Sequence, residues 1–208
     1  DSIAETGKEV YLSTGMSTIE EIDSSIEIIK KKNLPLTILQ CTSMYPTPPE
    51  KIGLNMLGYF RERYGCRVGL SDHSGQIFTG LAAATLGIDV LEVHITFSKE
   101  MFGPDVSSSI TIDELRQLVE GIRFIECTLE HDVDKNAVAE ELKPTRDIFR
   151  KSIVYLKDLK KGSVIGRKDI GFKKPGTGVD PSQINKVLGK KVKKDVMTDD
   201  LLYMKNLE

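Results

Sequence analysis

Cysteine is scarce in this chain. Cys41, Cys66 and Cys127 are odd in number and show no Cys-x-x-Cys spacing, which excludes a disulfide framework and points to reduced thiols in a cytoplasmic protein. Long apolar runs are missing: none approaches the roughly 20 residues needed to span a bilayer, so no membrane partner is expected. The opening stretch DSIAETGKEV has no signal-peptide character and reads as the middle of something longer. Charge of one sign is not in excess. A net charge of -2 over 208 residues gives no case for nucleic acid or an anionic membrane as partner. Internal repeats and low-complexity tracts are also lacking. What is present, 39% hydrophobic and 29% charged residues, suits a soluble globular protein of one large domain or two small ones.

The first 130 residues alternate between two periodicities. VYLST (10–14), LTILQCTS (36–43), CRVGLSD (66–72) and VLEVHITF (90–97) read as strands, the second being a continuous apolar run of the kind buried on both faces. Between them, Ile19, Ile22, Ile26 and Ile29 fall at helical spacing behind a capping box expected from Ser17 and Glu20. Ile52, Met56 and Phe60 form a second stripe, weakened by Gly53 and Gly58. QIFTGLAAATLG forms a small-residue helix. TIDELRQLVEGIRFIE (111–126) carries a further capping box, Thr111 to Glu114, and an apolar face of Leu115, Leu118, Val119 and Ile122. Four βα units in series predict a parallel sheet, half of a (β/α)₈ barrel.

The composition then shifts. Residues 128–147 are polar with little periodicity and read as a connector that, extended at roughly 3.3 Å per residue, reaches well over 40 Å. Later runs are short and broken by KKG and PGTG, predicting a small β-rich domain. Its one helix is expected near 181–188, with Asp180 as N-cap, Pro181 at the first helical position and Gly189 at the end. The expected division is 1–127 for the barrel part, 128–147 for the connector and 148–208 for the small domain.

Polar residues fall where a parallel barrel keeps its chemistry, at the C-terminal strand ends. The first strand ends in Ser13-Thr14-Gly15, the second runs into Thr42-Ser43 and Tyr45, and the third ends in Ser71-Asp72-His73. On the fourth, Glu92 and His94 share a face. Two histidines on neighbouring strand ends suit a shared divalent cation, with carboxylates or waters completing its shell. The residues alone leave two readings of His73 open, a metal ligand and a hydrogen-bonded surface histidine. His131 reads as solvated, Cys41 as a buried strand residue without nucleophilic duty, and KKVKK (190–194) as a solvated strand face.

STGM (13–16), CTSMYPTP (41–48), GLSDHS (69–74), EVHIT (92–96) and GPD (103–105) occur in an order and spacing similar to those of the sialic acid synthase (N-acetylneuraminate synthase) family. KKPGTG (173–178) with VLGKKV (187–192) resembles the antifreeze-like (SAF, β-clip) domain that ends those enzymes. The resemblance spans essentially the whole chain but only the later part of the family's length. It implies an α/β fold, the C-terminal half of a TIM barrel followed by the SAF domain.

It also implies a chemistry: metal-dependent condensation of phosphoenolpyruvate with an N-acylamino sugar such as N-acetylmannosamine, giving a nonulosonic acid and phosphate. His73 and His94 are then the ligands of Mn²⁺ or Mg²⁺. Ser13, Ser43 and Ser71 line the phosphoenolpyruvate pocket, while Tyr45 and Asp105 become catalytic, sugar-contacting positions. Lys174 serves the sugar from the small domain, across a domain-exchanged homodimer. The chain by itself is expected to be inactive.

Two departures stand out. Ser43 replaces an Asn of some relatives, and Lys174 stands where an Arg commonly precedes Pro-Gly, keeping the charge without the planar fork. Legionaminic and pseudaminic acid precursors are alternative sugars. Alternatives from other classes are a non-catalytic carbohydrate-binding module and another metal-dependent, phosphoenolpyruvate-using or aldolase barrel.

Overall fold

The computed structural model describes residues 3–208. The chain forms two compact units, one ending at Asp132 and one spanning Val133–Glu208.

Five strands run parallel in the first unit in chain order: β1 (Val10–Ser13), β2 (Leu36–Cys41), β3 (Arg67–Asp72), β4 (Val90–Thr96) and β5 (Ser109–Thr111). Helices α1 (Ile19–Lys31), α2 (Asn55–Tyr64), α3 (Ile77–Thr85) and α4 (Ile112–Glu130) alternate with them. This is half of a (β/α)₈ barrel followed by a small β-rich domain, as the sequence predicts. The three-residue β5 is an addition, since it is too short to leave a periodicity of its own.

Alternation along the strands decides which side chains meet the helices. Val10, Leu36, Ile38, Val68 and Leu70 pack with Ile22, Ile26 and Ile29 of α1 and with Leu57, Phe60 and Tyr64 of α2 in one core. The intervening residues, among them Ser13, Cys41, Ser71, Glu92 and His94, therefore point to the other face of the sheet. A network of Asp23 with Arg63 and Tyr64 ties α1 to α2.

Several local expectations are corrected. Thr18 caps α1 in place of Ser17: its hydroxyl accepts from Glu21 N, and the Glu21 carboxylate accepts from Thr18 N. Both pairs fit the same spacing, and the helix starts after the second. The buried stripe of α2 is Leu57, Phe60 and Tyr64, because a separate 3-10 turn over Pro49–Lys51 delays the helix and leaves Ile52 outside it. Of the apolar face expected on α4, only Leu118 is buried; the capping box of Thr111 and Glu114 forms as expected.

In the second unit the expected connector is largely helical. Following the end of α4, α5 (Lys135–Glu141) starts at an Asp134 cap and α6 (Lys143–Phe149) carries Pro144 in its first turn. A helix rises only about 1.5 Å per residue, so the reach of an extended connector does not apply. Strands β6 (Ser152–Tyr155) and β7 (Ile170–Lys173) pair antiparallel, and single bridges such as Val164 to Lys191 complete the β-rich body. Its core holds Ile153, Tyr155, Ile165, Val187, Val192 and Leu202. The expected helix near 181–188 is a 3-10 helix over Pro181–Lys186, capped by Asp180 as foreseen. No helix among the described residues is long and apolar enough to cross a membrane.

Candidate functional site

The polar strand ends of the first unit converge on the sheet face turned away from the helices. At the end of β1, Thr14 Oγ1 donates to Leu39 O and accepts from Cys41 N, fastening β1 to β2. Gly15 permits the close approach that follows, because a Cβ there would run into Ser43 Oγ and lie 3.1 Å from Cys41 Sγ. Ser13 and Ser43 thus sit on adjacent strand ends, Ser13 exposed and Ser43 half-buried.

His73, immediately past β3, is buried at 5% exposure. Its Nε2 lies 3.2 Å from Tyr45 Oη and 3.3 Å from Cys41 Sγ, while its buried Nδ1 has no partner. The Tyr45 ring stacks on the imidazole, and Thr47 N donates to His73 O at 2.9 Å, so the loop after β2 is pinned to the end of β3. The His94 ring stands edge-on to His73, centroids 5.0 Å apart. Asp105 approaches the other side, with Oδ2 at 3.9 Å from His94 Nδ1. Ser71 is buried and donates to Glu92 Oε1 at 2.5 Å.

Burial first, and the neighbouring His94 second, hold His73 below its usual value, favouring the neutral imidazole that can ligate. Asp72 points the other way along the alternation. Ser74 N and Oγ donate to it, yet burial raises its carboxyl above the usual range.

Thus His73, His94, Tyr45 and Asp105 are brought together, with Ser71 beside Glu92 on the same face and Ser43 and Ser13 one and two strands further along. Lys174 lies in the second unit, its Nζ 4.7 Å over the Phe149 ring. Cys41 lies in a strand, as expected, but is half-buried where a buried side chain was expected, with its thiol against His73. That contact joins residues 32 apart and left no mark in the sequence. Glu92 was visible only through its spacing from His94. His131 is exposed, as expected, with Nδ1 2.7 Å from Cys127 O.

The two imidazoles fit a divalent cation as donors, and the unpartnered Nδ1 of His73 is a polar atom the protein leaves unsatisfied. Among the described residues no group of three or more His, Cys, Asp and Glu is placed to hold a metal. Waters and substrate oxygens would therefore supply the rest of the shell, an arrangement suited to oxygen-seeking Mn²⁺ or Mg²⁺.

Residues 1–134 match the NeuB family model, and residues 150–208 match the SAF domain. The chain belongs to the NeuB family. It is 34% identical to N,N'-diacetyllegionaminic acid synthase of Campylobacter jejuni over 96% of this chain and 60% of that protein. It is 30% identical to human N-acetylneuraminate-9-phosphate synthase, over 97% of this chain and 56% of the relative. The chain thus spans about three fifths of these relatives' length. Among solved structures, the N-acetylneuraminic acid synthetase of Leptospira borgpetersenii, in complex with citrate, is 31% identical with a TM-score of 0.62, covering 70% of this chain and 51% of that one. These NeuB-family relatives are sialic-acid-type synthases.

Proposed function

We propose that this chain carries the metal- and sugar-binding half of a synthase site that condenses phosphoenolpyruvate with an N-acylated amino sugar. The reading is carried by His73 and His94, edge to face at adjacent strand ends beside Tyr45 and Asp105, in a chain of the NeuB family. The reaction joins C3 of phosphoenolpyruvate to the aldehyde carbon of the open-chain sugar, consumes one water and releases phosphate, leaving a nonulosonic acid.

Each side chain has a role in that reading. The hydroxyls of Ser13 and Ser43 donate to the carboxylate and phosphate oxygens of phosphoenolpyruvate, while Ser71, whose one O–H is taken by Glu92, lines the same pocket. Tyr45 and Asp105 orient the sugar, and Asp105 also faces the outer nitrogen of His94. A divalent cation, Mn²⁺ or Mg²⁺, held by the two histidines supplies Lewis acidity toward the sugar aldehyde. Lys174, a flexible point charge, contributes to sugar binding from the small unit of a second copy in a domain-exchanged dimer.

The test is sugar-dependent phosphate release from phosphoenolpyruvate with Mn²⁺ present. The chain alone should release none. Joined to the N-terminal segment of the Campylobacter jejuni relative, it should release phosphate in step with sugar consumed. Release by the homogeneous chain alone would overturn the half-site. A folded, Mn²⁺-loaded joined protein that is silent with every N-acylated amino sugar would overturn the reaction.

A further inference from the structure

We propose that Lys99 is a positioning residue that sets the separation of His73 and His94 by clamping the loop after β3 to β5. The inference rests on the metal reading of the two histidines. Lys99 Nζ donates to Gly75 O at 2.9 Å and to Ser109 O at 2.6 Å, and lies 3.3 Å from Glu114 Oε2. An ammonium has three N–H donors, and each finds a partner here.

The two carbonyls locate the clamp. Gly75 is two residues past His73, and Ser109 is the register partner of His94 in the β4–β5 ladder. One side chain therefore bridges the segments that carry both histidines. The bridge also reaches Asp105, whose carbonyl accepts from Ser109 Oγ at 2.7 Å. Beneath it the backbones approach closely: Gly75 has φ +66°, and a Cβ there would collide with Ser107 O. The Lys99 and Glu114 side chains are 38% and 36% exposed, and pairs that open to water contribute little. The carbonyl contacts, more than the ion pair, make the clamp.

The experiment follows Mn²⁺ binding by electron paramagnetic resonance and backbone amide exchange by mass spectrometry, on the chain as it stands. Lys99→Met should weaken Mn²⁺ binding about 10-fold or more, as loss of an orienting partner does at metal sites. It should also speed exchange in residues 72–76 and 106–110 while α1 and α2 exchange as in wild type. Lys99→Arg, which keeps donors for both carbonyls, should recover part of each effect. Unchanged exchange in both loops overturns the clamp. Faster exchange with unaltered Mn²⁺ affinity overturns its hold on the histidines. Gly75→Ala pries the same contact from the opposite side and carries the same two outcomes should Lys99→Met not fold. If the wild-type chain binds no Mn²⁺, the metal reading fails, and the exchange result alone decides the clamp.

Discussion

The rings of Tyr45 and His73 lie stacked, centroids 4.4 Å apart and 24° from parallel, although Tyr45 itself is half exposed. The tyrosine thus covers a buried imidazole and places its hydroxyl 3.2 Å from the same Nε2 that Cys41 approaches.

Removing that cover separates two contributions. Tyr45→Ala loses both stack and hydroxyl and should destabilise the first unit by about 1–2 kcal/mol in urea unfolding. Tyr45→Phe keeps the stack and should lose less than half of that. Equal losses in the two variants would show that the ring packing contributes nothing.

The Ser71–Glu92 hydrogen bond joins the C-terminal end of β3 to the body of β4, with Ser71 buried and a carboxylate as its partner. Charge-assisted bonds of this kind are the strong ones. In a double-mutant cycle of Ser71→Ala and Glu92→Ala, each of which removes the bond, the coupling energy should be about 1 kcal/mol or more. A coupling near zero would mean that the pair does not hold β3 to β4.

In the second unit, Asp169 takes Lys157 Nζ at 2.7 Å and Gly166 N at 2.8 Å, and these contacts hold its carboxyl below the usual carboxylate range. A depressed folded value contributes stability above the unfolded value, near 3.8, and that stability is lost as pH falls through the folded one. Asp169→Asn should therefore cost about 2 kcal/mol at neutral pH. The gap from wild type should narrow below pH 3.8. A gap that stays constant through that range would contradict the assignment.

How much of this could be read in advance differs element by element. β2 and β3 were legible because their apolar runs are filled by a core that packs from the helix side, leaving Ile38 and Val68 fully buried. The start of α1 was ambiguous in principle, since Ser17 with Glu20 and Thr18 with Glu21 satisfy one spacing; only the backbone decides. The helices α5 and α6 were hidden by a polar stretch with no buried residue to mark a face. His73 and His94 stood out through their motifs. Their neighbours Cys41 and Lys99 did not, because a thiol against an imidazole and an ammonium on two carbonyls are tertiary facts without a periodicity.

The most direct measurement is Mn²⁺ binding to the wild-type chain, His73→Ala and His94→Ala, each with its fold checked by circular dichroism. One Mn²⁺ per wild-type chain is expected, with either substitution removing most of the affinity while the fold persists. Wild-type affinity retained in both folded variants would contradict a cation shared by these two histidines.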